Sequence, residues 1–109
     1  PSGGMMFAVG IYDLLTPGDL TGGAHIAGTG TIDSTGAIGP IGGIQEKMYG
    51  ASAAGAKYFL APASNCNEVV GHVPAGMQLF KISTYDQAVA VVKAIGEKAD
   101  LSGFATCTK

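Results

Sequence analysis

Apolar residues dominate the first part of the chain. From Ser2 to Leu15 the only charged residue is Asp13, and a segment that is apolar on every side is typical of an element packed on more than one side. We predict a helix over 2–15 with Ser2 at or near its N-cap, because serine is a preferred capping residue. The turn-forming sequence TPGDLTGG at 16–23 ends this helix.

Two strand-like segments follow, at 25–33 and 37–41. The loop between them has three residues and ends at Gly36, which predicts an antiparallel hairpin. Alternation along the first strand puts Thr29 on the face opposite Ile26. On this pattern, Thr29 is either an ordinary β-branched strand residue or a residue that faces a site.

The glycine- and proline-rich turn GPIGG precedes a helix that we predict to be closed by Gly55. The apolar stripe of this helix consists of Ile44, Met48 and Ala51, and Lys47 falls beside that stripe. A buried ammonium is costly unless it is paired or loses its proton. Lys47 therefore either extends its stem outward to water or is held neutral for chemistry.

The C-terminal half of the chain alternates strands and helices. Thr84 and Gln87 match the capping box that opens a helix. The predicted elements are a strand at 57–61 ended by Pro62, a polar turn at 64–70 with one helical turn, a strand at 77–83, a helix from 85 to near Gly96, and a tail at 97–109. The apolar positions of the last helix are Tyr85, Ala88, Val89, Val92 and Ile95. This order of elements predicts an α+β (mixed α/β) fold.

Composition excludes several classes of function. The 109 residues suffice for one domain or part of one, and 47% are apolar. The net charge is −2 and the chain has no Arg, so it offers no basic patch for nucleic acid. The sequence contains no run of 18 apolar residues, which a helix would need for direct insertion into a bilayer. No Walker A motif is present, and we predict no cofactor.

The two cysteines, Cys66 and Cys107, lack the C-x-x-C spacing of a zinc framework, so we predict no metal site. They either form one bridge across a loop of roughly 40 residues or remain unrelated thiols. Both alternatives fit the sequence.

A serine at a helix start and a lysine beside an apolar stripe are the two parts of a Ser-Lys dyad. In such a dyad desolvation keeps the lysine amine neutral, so that it can take the serine proton. Ser2 is thus either a capping residue or a nucleophile. A Ser/His/Asp site would need His25 or His72, and neither lies in a recognisable motif.

Three motifs together resemble the proteolytic domain of Lon-type peptidases. They are PSGG at 1–4, AGTGTIDSTGAIGPIGGIQEK at 27–47 and AGAKYFLAPASN at 54–65. The resemblance spans almost the whole chain and is closest to the ATP-independent, PDZ-bearing, membrane-anchored Lon-like proteins of Gram-positive bacteria. It implies a serine endopeptidase that works through an acyl-enzyme, with Ser2 as nucleophile, Lys47 as general base and Thr29 supporting the lysine amine.

The resemblance also implies partners and a location. It implies protein or peptide substrates, a ring-shaped homo-oligomer, commonly a hexamer, and a position on the extracytoplasmic face of the membrane through a segment outside this chain. In that oxidising compartment Cys66 and Cys107 are expected to bridge and to pin the C-terminal tail.

Two departures from the family limit the resemblance. Gly3 stands where the family more often has Ala, and the strands and glycine-rich turn that the family has before the serine are not among residues 1–109. We therefore expect residues 1–109 to be the C-terminal part of a Lon-like protease domain, a fragment that could be inactive alone. The alternative is a non-catalytic domain of the same fold that serves as an assembly or binding module.

Overall fold

A mixed β-sheet with helices on both faces forms the centre of the structure, a computed structural model that describes residues 10–16 and 23–108. The strands are β1 Gly10–Leu15, β2 Ile26–Ile32, β3 Ile38–Gly39, β4 Tyr58–Pro62 and β5 Gln78–Ile82. The helices are α1 Ile44–Ala53, α2 Cys66–Val69 and α3 Tyr85–Gly96, and a 3₁₀ turn at Ala63–Asn65 precedes α2. The predicted α+β (mixed α/β) class is confirmed.

The strands lie in the order β1, β2, β4, β5, with β3 beside the end of β2. β1 and β3 pair with β2 in antiparallel fashion, whereas β4 is parallel to β2 and to β5. The predicted hairpin is present, although β3 has only two residues. Pro40 follows directly, and a proline cannot donate to a strand ladder.

The predicted helix over 2–15 is wrong for residues 10–15, and its remaining residues, Ser2 included, lie outside the described ranges. Residues 10–15 form strand β1, which runs along β2 from the pair Gly10 and Ile32 to the pair Leu15 and Ala27. A short apolar run does not distinguish a buried helix from a strand. The long edge of β2 supplies the backbone partners that decide in favour of the strand.

Two hydrophobic clusters pack on opposite faces of the sheet. Ile44 and Met48 of α1 are fully buried in the first, together with Phe59 of β4. Val91 and Ile95 of α3 belong to the second. Neighbouring residues of β2 divide between the faces, since successive side chains of a strand point to opposite sides. The sheet therefore separates α1 from α3.

Helix α1 agrees with its predicted stripe, but α3 differs from the prediction. Gly55, the second residue past the end of α1, has a φ of +97°, as expected of a glycine that closes a helix. In α3 the predicted positions Tyr85 and Val89 are 55% and 45% exposed, and Val91 is buried instead. Together with Leu14, Ile38 and Val92, these exposed side chains line an apolar groove of about 580 Å³.

The C-terminal tail lies against β5 and is joined covalently to the body. The Lys81 N–H of β5 donates to the Ala105 carbonyl at 2.8 Å, and Thr106 Oγ1 donates to the Leu79 carbonyl at 2.7 Å. A disulfide links Cys66 to Cys107, whose Cα atoms are 5.1 Å apart. The bridge that the resemblance implied is therefore present. No helix within the described ranges is long and apolar enough to cross a membrane.

Candidate active site

Lys47 lies in the first turn of α1, on the sheet face that α1 covers. The residue before the helix, Gly43, has a φ of +70° and a ψ of 29°, a left-handed conformation that glycine adopts without steric cost. The Lys47 N–H donates to the Gly43 carbonyl at 3.1 Å and begins the helical hydrogen-bond ladder. Ile44 and Met48 pack the helix against the sheet, so the stem of Lys47 runs along the sheet face. The Lys47 side chain remains 40% exposed.

Asp13 of β1 brings the two predicted site residues Lys47 and Thr29 together. Lys47 Nζ donates to Asp13 Oδ1 at 2.9 Å and to Oδ2 at 3.0 Å. Thr29 Oγ1 donates to the same Oδ1 atom at 2.7 Å. Asp13 and Thr29 are register partners across β1 and β2, and side chains directly opposite each other in adjacent strands share a face. One hydroxyl donor and one ammonium donor thus converge on the Asp13 carboxylate.

The donors around Asp13 stabilise its ionised form. The Thr29 hydroxyl contributes most, and hydrogen bonding and charge from Lys47 add to it, so that the pKa of the Asp13 carboxyl lies below its usual value despite the opposing effect of burial. An ionised carboxylate only accepts hydrogen bonds, so Lys47 acts as the donor of this pair. Asp13 is 62% exposed, so water screens the attraction.

Ser2, the third predicted site residue, lies outside the described residues. Its predicted contact with Lys47 therefore stays a prediction. The structure does place Thr29, which is 1% exposed, and Lys47 on a common carboxylate although they are distant in sequence. Asp13 was not predicted as a site residue, although it is the only charge in an apolar segment and that isolation was a usable signal.

A shallow depression of about 220 Å³ adjoins this polar group. Its lining combines Asp13, Thr29 and Lys47 with small residues, among them Gly28, Gly50 and Ala51. Small side chains leave room beside the lysine amine, so an extended chain could approach it. Within the described part of the chain, no group of three or more His, Cys, Asp or Glu side chains could hold a metal ion.

Asn65, a second residue that the sequence did not single out, is fully buried beside the turn that precedes α1. Its Oδ1 accepts from the Ile41 N–H at 3.0 Å, and its Nδ2 donates to the Ile41 carbonyl at 3.0 Å. The same Nδ2 donates to Glu68 Oε1 at 2.8 Å. The signal available in the sequence was an amide residue placed directly after a buried strand and a proline turn.

Comparisons with known proteins show the family to which the chain belongs. The sequence profile of the Lon protease C-terminal proteolytic domain matches residues 1–95. The chain is 34% identical to Lon protease 1 of Sorangium cellulosum over 93 residues, which are 83% of this chain and 11% of that protein. It is 36% identical to the Lon protease of Campylobacter concisus over 93 residues, which are 82% of this chain and 11% of that protein.

A third relative is Lon protease 2 of Bacillus subtilis, 30% identical over 91 residues that make up 82% of this chain and 16% of that protein. The chain belongs to the Lon protease C-terminal proteolytic domain family. It spans only 11% to 16% of the length of these relatives.

Proposed function

We propose that this chain carries the catalytic residues of a serine endopeptidase that hydrolyses peptide bonds of protein substrates with a Ser-Lys dyad. The observation that supports the proposal most is the convergence of Lys47 of helix α1 and Thr29 of strand β2 on one carboxylate oxygen. Membership of the Lon protease family supports a peptidase independently. No cofactor or metal takes part in the proposed chemistry.

In the proposed reaction, the neutral amine of Lys47 takes the proton of the Ser2 hydroxyl while Ser2 Oγ attacks the carbonyl carbon of the substrate. The tetrahedral intermediate collapses to an ester on Ser2, and Lys47 gives the proton to the leaving amine. Lys47 then deprotonates a water molecule, which hydrolyses the ester and restores Ser2. The hydroxyl of Thr29 holds the amine in place during these steps.

The ion pair with Asp13 must open, and the Lys47 ammonium must release a proton to water, before Lys47 can act as a base. An ammonium that donates to a carboxylate has no lone pair with which to accept the serine proton. The exposure of both side chains makes this opening inexpensive, because an exposed ion pair stabilises a protein by at most about 1 kcal/mol. The proposal therefore treats the Asp13 contact as a resting arrangement of the amine.

We further propose that the domain works in a ring-shaped homo-oligomer on the extracytoplasmic face of a membrane, in a PDZ-bearing Lon-like protein anchored by a segment outside this chain. The disulfide between Cys66 and Cys107 supports an oxidising compartment. The apolar groove beside α3, with Tyr85 and Val89 exposed, supports contact with further protein in an assembly.

The test uses the full-length protein. Ser2→Ala and Lys47→Ala should each abolish cleavage of an unfolded protein substrate, and Ser2→Ala should also abolish labelling by a fluorophosphonate. Lys57→Ala and Ser64→Ala are matched controls. Both residues are exposed, so both variants should keep full activity. Retained turnover in either dyad variant would contradict the mechanism.

The second candidate is a non-catalytic module of the same fold that serves assembly or binding. The ion pair between Lys47 and Asp13 favours it, since that arrangement occupies the amine. A wild-type protein that is folded, takes no fluorophosphonate and cleaves no peptide would decide for this candidate.

A further inference from the structure

Asn65 is one of two buried polar side chains within the described ranges, the other being Thr29 of the candidate site. It ends the 3₁₀ turn after β4 and lies against the turn GPIGG that leads into α1. A buried amide that is hydrogen-bonded at both ends is costly to replace, because each lost bond leaves a polar group without water. The Asn65 side chain therefore holds in place the backbone groups to which it is hydrogen-bonded.

The contact of Asn65 with Ile41 satisfies both backbone groups of a single residue. The side-chain amide accepts from the Ile41 N–H and donates to the Ile41 carbonyl, each at 3.0 Å. An amide side chain presents an acceptor and a donor side by side, whereas an ionised carboxylate only accepts. The third bond, to Glu68 Oε1 at 2.8 Å, ties the amide to α2.

Ile41 is two residues before Gly43, the residue that immediately precedes α1. The Gly43 carbonyl accepts from the Lys47 N–H, so the position of the turn sets the first helical hydrogen bond at the lysine itself. A glycine at a φ of +70° adds no side-chain contact that could hold the turn. A further hydrogen bond joins α1 to α2, because Gln45 Nε2 donates to the Glu68 carbonyl at 2.7 Å.

We propose that Asn65 is a positioning residue for Lys47: it fixes the turn before α1 and thereby the direction from which the amine reaches the site. This inference rests on the proposed function of Lys47 as a general base. It assigns to Asn65 no contact with substrate. A displacement of a catalytic group by about 1 Å can cost about 100-fold in rate, so the turn needs such a constraint.

The variant that tests this is Asn65→Asp, which keeps the shape and the acceptor for the Ile41 N–H but loses the donor to the Ile41 carbonyl. In the full-length protein we expect kcat for peptide cleavage to fall by about 10- to 100-fold with KM within about twofold of wild type. Asn67→Asp makes the same chemical change at an exposed position of α2 and should leave both constants unchanged.

The double variant Asn65→Asp/Glu68→Gln separates positioning from stability. It removes the repulsion between two carboxylates and should recover part of the melting temperature, while the Ile41 carbonyl still lacks its donor and kcat stays low. Recovery of kcat in step with the melting temperature would overturn the inference. Should Asn65→Asp fail to fold, Asn65→Ser takes its place with the same expected loss of kcat.

Amide hydrogen exchange at Ile41, together with the NMR shifts of residues 43–47, gives a readout that needs no activity. Faster exchange at Ile41 and shifted signals at Lys47 in Asn65→Asp support the inference, and unchanged values overturn it. A wild-type protein without cleavage or fluorophosphonate labelling would overturn the proposed function instead, and the exchange data would still decide whether Asn65 positions Lys47. An active wild type with unchanged kcat in a folded Asn65→Asp would also overturn the inference.

Discussion

Asp13 and Thr29 face each other across β1 and β2, and the Thr29 hydroxyl donates to Asp13 Oδ1 at 2.7 Å. Because Thr29 is buried and Asp13 is exposed, the hydroxyl extends from the protein interior to the surface carboxylate. The bond is the largest cause of the lowered pKa of Asp13. The same oxygen receives Lys47, so a change at Thr29 alters the charge environment of the candidate base.

The first prediction concerns the pH dependence of this carboxylate. Since the folded pKa of Asp13 is below its unfolded value, the group contributes stability that is present above the unfolded pKa, about 3.9, and is lost as pH falls through the folded pKa. Thr29→Val should raise the folded pKa, so that this loss occurs at a higher pH. The measurement is an NMR titration of the Asp13 carboxyl carbon.

Thr29→Ser is the matched control for that titration, because it keeps the hydroxyl and should keep the low pKa of Asp13. Equal titration midpoints in Thr29→Val and Thr29→Ser would show that the hydroxyl has no such effect. The titration does not depend on enzymatic activity and therefore tests the geometry alone.

The second prediction concerns the reaction. Asp13→Asn removes the charge that holds the Lys47 amine, so the amine becomes available to Ser2, and peptide cleavage near neutral pH should rise by up to about fivefold. The bound follows from the value of an exposed ion pair, at most about 1 kcal/mol. The control is Asp33→Asn in the hairpin turn, where Asp33 accepts a hydrogen bond from the Thr35 hydroxyl. A loss as complete as that in Lys47→Ala would place Asp13 in the catalytic machinery.

The third prediction concerns the disulfide. Reduction, or the variant Cys107→Ser, should lower the free energy of unfolding by about 3 to 4 kcal/mol on the loop-entropy estimate. The cross-link closes a sequence separation of 41 residues, and the tail that it holds packs Phe104 edge-on against Phe80. Denaturant unfolding with and without reductant measures the difference. Coincident unfolding curves would contradict a stabilising role.

The fourth prediction concerns the start of α3. Thr84 Oγ1 accepts from the Gln87 N–H at 3.2 Å, and the Gln87 side chain accepts from the Thr84 N–H at 3.3 Å. Thr84→Ala should cost about 1 kcal/mol of stability. Thr108→Ala, at an exposed tail position, should cost nothing measurable, and equal losses in both variants would show that the capping box contributes no stability.

The elements that the sequence predicted correctly are those whose signals are local. The capping box at Thr84 and the stripe of Ile44 and Met48 depend on residues within one or two helical turns, and both are present. Strand β1 could not be predicted in this way. Its conformation depends on pairing with β2, at positions up to 22 residues away such as Gly10 and Ile32, and the apolar pattern alone allows a helix as well.

The candidate site was predictable in part for the same reason. Lys47 and Thr29 lie in motifs that the sequence displays, so the family resemblance could assign them. Asp13 and Asn65 act through tertiary contacts, across 34 residues to Lys47 and across 24 residues to Ile41. No periodicity in the chain encodes such distances. Both contacts form only when the facing elements are packed together.

The covalent link between Cys66 and Cys107 affects how a cleaved peptide bond in this chain is detected. A peptide bond cut anywhere between the two cysteines leaves the two pieces joined through the sulfur atoms. On a gel without reductant, a molecule cut in β5 or α3 would migrate close to intact protein, and only reductant would separate its fragments. The share of nicked molecules in a preparation therefore becomes visible only by comparing reduced and non-reduced samples.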